Sequence, residues 1–300
     1  MELLKRVLTA LVLIPIVLVL VLHAPVPVLA FVAGVVALLA IHELLKLSEA
    51  YAICPLRNPT YIFCGLFFLG VALNPGVTPL LSTGGFAFGA LAAAVLAPFI
   101  FLAIAMSRSE LATGFPAAMV SSFSFVYIAL PLASLVQLRD QWRGAFLLLY
   151  LLLLVWAGDI FAYFIGKPFG THRMSPRVSP NKTWEGAIAS LAASTGVGVL
   201  MFHYAVCISS TLLRAHLIEQ RDGIFASEQV PLAQVVILSI LLNLASQLGD
   251  LIESLIKRGA GAKDSGTILP GHGGMFDRID ALLFAAPVLW CWAAWRVMMQ

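Results

Sequence analysis

Apolar runs of about 20 residues, the length that crosses about 30 Å of hydrocarbon, recur along the whole chain. They fall at roughly 7–22, 26–45, 60–75, 85–105, 117–137, 145–165, 185–205, 232–252 and 280–298. A backbone immersed in lipid must satisfy its own N–H and C=O groups, so runs of this length predict helices. The polar gaps between them leave no room for a soluble domain. With 61% hydrophobic and only 11% charged residues and a mean hydropathy of +0.97, the expected class is all-α. The chain is read as a polytopic transmembrane protein of about nine helices, forming one integral membrane domain over 1–300. Residues 1–145 supply N-terminal helices, and 146–300 supply the helices and loops that carry the polar chemistry. The first and third runs are the short ones.

Met1 to Ala30 has the look of a secretory leader: Lys5-Arg6, an apolar core, and Val28-Leu29-Ala30 as a cleavage site. A second apolar run follows at once, so a retained first helix is expected. Pro25-Val26-Pro27, Asn74-Pro75-Gly76 and Gly84-Gly85 read as turns. No internal repeat is visible, which weakens a transporter built from duplicated halves. Cys54, Cys64, Cys207 and Cys291 form no CxxC pair and lie away from the charged loops, so zinc, disulfide and thiol chemistry are not indicated.

Placing the N terminus inside puts 13 of the 18 Lys and Arg residues on the inner side and leaves Arg139, Arg143, Arg214, Arg221 and Arg296 outside. This asymmetry predicts an inside N terminus with the polar loops facing the cytoplasm; the expected setting is the inner (plasma) membrane. Net charge is only +3, and no nucleic-acid partner is expected.

His42-Glu43 reads as an interfacial pair at the cytoplasmic edge rather than a catalytic one. Asp159 interrupts an apolar run; with Tyr163 and Lys167, at i+4 and i+8, it shares one helix face. That face meets either a neighbouring helix or a ligand. The following loop ends in Ser179-Pro180-Asn181-Lys182-Thr183-Trp184-Glu185-Gly186, where Lys182 and Thr183 can offer donors to an anion at a helix start. Asn243, Gln247, Asp250, Ser254 and Lys257 then recur at steps of four and three, with Ser246 and Glu253 beside them. A stripe that includes carboxylates is expected to face a ligand or metal rather than only a helix neighbour.

Nine charged residues and His272 fall between Asp250 and Asp280. Carboxylates, basic groups and a Gly-rich turn together suit phosphate plus a divalent cation. The pattern is Ser254-x-Ile256-Lys257-Arg258, four residues, Lys263-Asp264-x-Gly266, then Leu269-Pro270-x-His272-Gly273-Gly274-Met275-x-Asp277-Arg278-Ile279-Asp280. It resembles the signature of phosphatidate cytidylyltransferases, the CDP-diacylglycerol synthases, and Ser179–Gly186 resembles that family's second segment.

The resemblance implies transfer of a cytidylyl group from CTP to phosphatidic acid, giving CDP-diacylglycerol and pyrophosphate. It also implies Mg2+ held chiefly by Asp250 and Asp280, a second, monovalent cation, a homodimer and the lipid bilayer as setting. Asp277, three residues before Asp280, is a further metal candidate. The expected catalytic set is Asp250, Asp280, Lys257, Arg258, Lys263, Asp277 and Arg278. The expected substrate contacts are Lys167, Ser179, Lys182, Thr183, Ser254, His272, Gly273 and Gly274. Gly271, Gly273 and Gly274 would let the backbone approach closely around His272. The alternatives are another membrane CTP-dependent lipid-phosphate transferase, or a transporter of an anionic substrate using Asp159 and Asp250.

Overall fold

The computed structural model describes residues 2–73, 79–225, 230–268 and 273–299. Its helices are α1 (Glu2–His23), α2 (Val26–Glu49), α3 (Arg57–Leu73), α4 (Pro79–Ala105), α5 (Gly114–Ser124), α6 (Leu130–Asp140), α7 (Gly144–Phe169), α8 (Trp184–His203), α9 (Ala205–Arg214), α10 (Leu232–Gly259) and α11 (Phe276–Met298). A π-helical turn, Phe125–Ala129, joins α5 to α6 into one rod. The chain is a polytopic helical membrane protein. Seven segments among the described residues are long and apolar enough to cross, against the nine expected; Leu11–His23 and Arg57–Leu73 are shorter apolar helices. Gly84-Gly85 does not turn the chain: both lie inside α4, because glycine is tolerated within a helix surrounded by lipid. Asn74-Pro75-Gly76 lies outside the described residues.

Large apolar side chains such as Phe31, Leu66, Phe88, Phe99, Phe164 and Leu241 stand exposed around the bundle, as a lipid-facing surface requires. The interior has two apolar cores, and α11 lies between them. Phe276, Ile279 and Leu283 pack with α2, α5 and α6, whereas Ala285, Ala286 and Leu289 pack with α7 and α10.

Side-chain contacts define two ends. At one, the C-terminal ends of α2, α7 and α10 meet the starts of α8 and α11: the Tyr51 hydroxyl donates to the Ile256 carbonyl at 2.9 Å. At the other, Arg139 pairs with buried Asp222 at 2.7 Å and Gln141 donates to Thr83 at 3.2 Å. Both polar loops of the C-terminal half are thus at the same end.

The polar stripe on α10 divides in two. Its inner part seals helices: Asn243 is 1% exposed and donates to Ser190 and Ser194 of α8 at 2.8 and 2.9 Å. Ser194 donates in turn to the Leu154 carbonyl of α7, and Gln247 donates to Asn243 at 2.6 Å. A Cβ at Gly158 would stand 2.7–2.9 Å from these three side chains, so glycine here permits the close approach of α7. Expecting the whole stripe to face a ligand was therefore wrong for Asn243, whose amide is consumed by helix contacts. Farther along, Ser246, Gln247, Asp250 and Lys257 border cavities.

A small antiparallel hairpin was not anticipated in an all-α chain. Strands β1 (Arg173–Ser175) and β2 (Ser179–Thr183) pair Arg173 with Thr183. The hairpin delivers Lys182 and then starts α8, whose first turn Thr183 caps by accepting from the Gly186 amide at 3.2 Å.

Candidate active site

Three carboxylates, those of Asp250, Glu253 and Asp280, converge at the end of α10 and the start of α11, with a donor atom of each within 4.8 Å of the others. Asp250 and Glu253 are three apart on one helix face. Glu253 is fully buried. Its Oε2 lies 2.5 Å from the Lys257 ammonium, while Oε1 has no hydrogen-bond partner among the described residues. Lys257 is shared: its ammonium also lies 2.5 Å from Asp277. Asp250 pairs with Lys182 at 2.5 Å and accepts weakly from Ser254 at 3.5 Å. Two paired lysines thus stand against four clustered carboxylates. Desolvated carboxylates this close repel one another unless compensated. An unpartnered buried carboxylate oxygen beside two more oxygen donors suits a hard divalent cation, so the donor set fits a metal.

Asp277 is not one of these donors. Its Oδ1 holds Lys257, and its Oδ2 accepts from the Ser265 amide at 2.9 Å, the Ser265 hydroxyl at 3.0 Å and the Gly274 amide at 2.8 Å. With both oxygens engaged by the protein it organises the loop, and Glu253 takes the place expected for it beside Asp250 and Asp280.

Two cavities meet at this cluster and share Asp159 and Asp250. The larger, about 590 Å³, is bordered by Lys167, Arg173, Lys182, Asn181 and Gln247 between α7, the hairpin and α10. The smaller, about 290 Å³, is bordered by Lys257, Asp264, Asp277, Arg278 and Asp280. One is basic and the other acidic, with two aspartates at their junction. Asp159, expected to face either a helix or a ligand, faces the cavities.

The remaining expected residues scatter. Thr183 borders the larger cavity and caps α8. Ser179 pairs with Ser175 in the hairpin and borders neither cavity. Arg258 is exposed and donates to the Ala262 carbonyl at 3.3 Å, and Lys263 is exposed; neither borders either of these two cavities. His272 and Gly271 lie outside the described residues. Gly273, at φ +80°, and Gly274 make room for protein carboxylates: a Cβ on Gly273 would stand 2.5 Å from Asp277, and one on Gly274 would collide with Ser265 and Glu43. The Gly274 amide already serves Asp277 and is not available to a substrate phosphate.

Two residues from the N-terminal half complete the cluster without any motif to announce them. Glu43 is 2% exposed and accepts from the Ser265 hydroxyl at 2.8 Å and from the Met275 and Phe276 amides at 2.9 Å each. The interfacial pair expected at His42-Glu43 is split: His42 turns out to Tyr61, and Glu43 turns in. Tyr127, on the π-helical turn, packs edge-on against Phe276 and Phe284 with ring centroids 5.9 Å away in both cases. Those two phenylalanines are one turn before and after Asp280, so Tyr127 spans its position. Its buried hydroxyl has no partner among the described residues.

Comparison with known proteins matches this arrangement. A profile described as the Cytidylyltransferase family covers residues 4–295. A phosphatidate cytidylyltransferase of Brucella abortus biovar 1 is 40% identical over 182 residues, 60% of this chain and 57% of that protein. The Haemophilus influenzae protein of that name is 38% identical over 171 residues, covering 55% and 54%, and the Staphylococcus saprophyticus one 36% over 166 residues, covering 55% of each. The chain thus spans a little over half the length of the curated relatives it matches. A profile match along nearly the whole chain, on a fold that brings the motif carboxylates together, shows that the chain belongs to the Cytidylyltransferase family.

Proposed function

We propose that this protein is an integral membrane phosphatidate cytidylyltransferase, using CTP and phosphatidic acid. The observation that carries the reading is the junction of a basic and a carboxylate-lined cavity at Asp159 and Asp250, at one end of a lipid-facing bundle. The activity for which its relatives are named supports it. A transporter would need a polar path to both faces, and the polar residue next along α10, Asn243, is spent on a helix contact with Ser190 and Ser194.

The nucleophile comes from substrate. A phosphomonoester, with a second pKa of about 6, is largely dianionic near neutral pH. Its oxygen forms a bond to the α-phosphorus of CTP while the α–β phosphoanhydride bond breaks, and pyrophosphate leaves. Lys167, Arg173 and Lys182 face the larger cavity and hold the phosphates in line. Arg278 faces the smaller cavity, where charge builds on the leaving group. Lys257 keeps Glu253 and Asp277 in place rather than touching phosphate. Asp250, Glu253 and Asp280 would hold Mg2+, which when bound screens the phosphates from one another. Catalysis is then positioning and charge stabilisation. A second, monovalent cation and a homodimer, both implied by the family resemblance, belong to the same proposal.

The reading is tested with purified protein and radiolabelled CTP, supplying phosphatidate, a polyprenyl phosphate or no lipid. Label should enter lipid only with phosphatidate; transfer to the polyprenyl phosphate alone would favour the other lipid-phosphate transferase.

The proposed setting is the inner membrane with the cavities facing the cytoplasm, supported by Lys46, Lys167, Lys182 and Lys257 lying at the cavity end and Arg139, Arg143 and Arg221 at the other. Ser265 is buried and is a poor reporter, but Thr267 is exposed. A cysteine at Thr267, with the exposed Cys54, Cys207 and Cys291 changed to serine, should react with an impermeant thiol reagent only after lysis. Reaction in intact cells would reverse the orientation.

A further inference from the structure

A helix begins with amide groups that have no partner inside the helix; at the start of α11 Asp277 takes the Gly274 amide, and the next two amides need another acceptor. Its N-cap residue, Met275, makes no side-chain cap. The missing acceptor arrives from α2, far away in sequence. Glu43 takes the Met275 amide on one carboxylate oxygen and the Phe276 amide on the other, each at 2.9 Å. A carboxylate at a helix N terminus also meets the positive end of the helix dipole, which suits a buried anion.

The loop is shaped to admit this carboxylate. A Cβ at Gly266 would lie 2.5 Å from Glu43 Oε1, and one at Gly274 would strike Oε2. The Ser265 hydroxyl donates to Glu43 at 2.8 Å while its amide holds Asp277. Asp277 in turn holds Lys257, and Lys257 holds Glu253. One turn beyond the capped amides, Asp280 joins Asp250 and Glu253. Glu43 itself borders neither cavity, and its hydrogen bonds go to protein groups.

We propose that Glu43 is a positioning residue for the cytidylyltransferase site: its carboxylate, carried on α2, sets the start of α11 against the end of α10 and so fixes the separation of Asp280 from Asp250 and Glu253. The inference rests on the reading that these three carboxylates hold a divalent cation.

The test is Mn2+ binding to the purified full chain in detergent, read by electron paramagnetic resonance, beside kcat and KM for CTP. Glu43→Gln keeps size and shape but turns an NH2 group toward one of the two amides. It should weaken Mn2+ binding and lower kcat by about tenfold or more, as loss of a ligand-orienting partner does, with KM for CTP little changed. Gly274→Ala, which pushes Glu43 aside, should move Mn2+ affinity the same way. If Glu43→Gln does not elute as folded protein, Glu43→Asp decides: its shorter carboxylate keeps the charge but reaches only one amide, so weakened Mn2+ binding supports the proposal. Wild-type Mn2+ affinity in the folded fraction of these variants overturns it, since a merely structural role lowers the amount of active protein and not its affinity. Asp280→Asn separates the two levels. If it binds Mn2+ as the wild type does, the cation reading itself fails; if it loses binding while Glu43→Gln retains it, only the positioning role fails.

Discussion

Asp280→Asn is expected to lose about a thousandfold or more in turnover, the several kcal/mol that a metal ion's charge contributes to such a transition state. The physical reason is local. Asp280 offers its carboxylate to a group that already contains Asp250 and Glu253 within 4.8 Å, and asparagine fills the same space with a neutral, weaker donor. Stability should move the other way. Removing one charge from a cluster of like charges relieves repulsion, so in metal-free buffer the variant should melt at or above the wild-type temperature. Added Mg2+ should then raise the melting temperature of the wild type but not of the variant. Activity and melting in detergent, each across a magnesium titration, check both halves. Near-normal turnover would remove Asp280 from the metal group, and a lower metal-free melting temperature would show that the cluster does not store repulsion.

Lys257→Met should have the largest effect on the fold. The ammonium lies between Glu253, whose side chain is 0% exposed, and Asp277, at 6%, and both would be left buried without their cation. Removing one partner of a buried ion pair typically costs about 3–5 kcal/mol, and here two carboxylates share the lost partner. The variant should be inactive and strongly destabilised. The double variant Lys257→Met with Asp277→Asn should regain part of the stability, because it removes one of the stranded charges. A double-mutant cycle on melting in detergent measures the coupling. Additive losses would mean that Lys257 and Asp277 act independently.

The membrane class was legible because the lipid requirement leaves a long, simple signature, and the helices fall on the apolar runs. The number of crossings was less so, since α3, at 17 residues, sits below the length at which composition alone decides. Asp250 and Asp280 were named through the family resemblance, and folding brings them together at the end of α10 and the start of α11. Glu253 was visible too, three residues after Asp250 on the same face, but spacing alone did not rank it above Asp277. That choice depends on where Lys257 and the Ser265 and Gly274 amides point, which only folding decides. Glu43 was harder. A lone glutamate near a helix end has the same local sequence whether it turns to water or inward, and its partners are more than two hundred residues away. The glycines misled for a related reason: tight approach was correctly implied, but the approaching groups are Glu43 and Asp277.

The most direct measurement of the central claim is the fate of each phosphorus of CTP. With purified protein, Mg2+ and phosphatidate, CTP labelled at the α-phosphorus should pass its label into the organic-phase lipid. CTP labelled at the γ-phosphorus should release its label as pyrophosphate at the same rate, and Asp280→Asn should do neither. Label from the γ-phosphorus in the lipid, or none from the α-phosphorus with phosphatidate present, would contradict cytidylyl transfer.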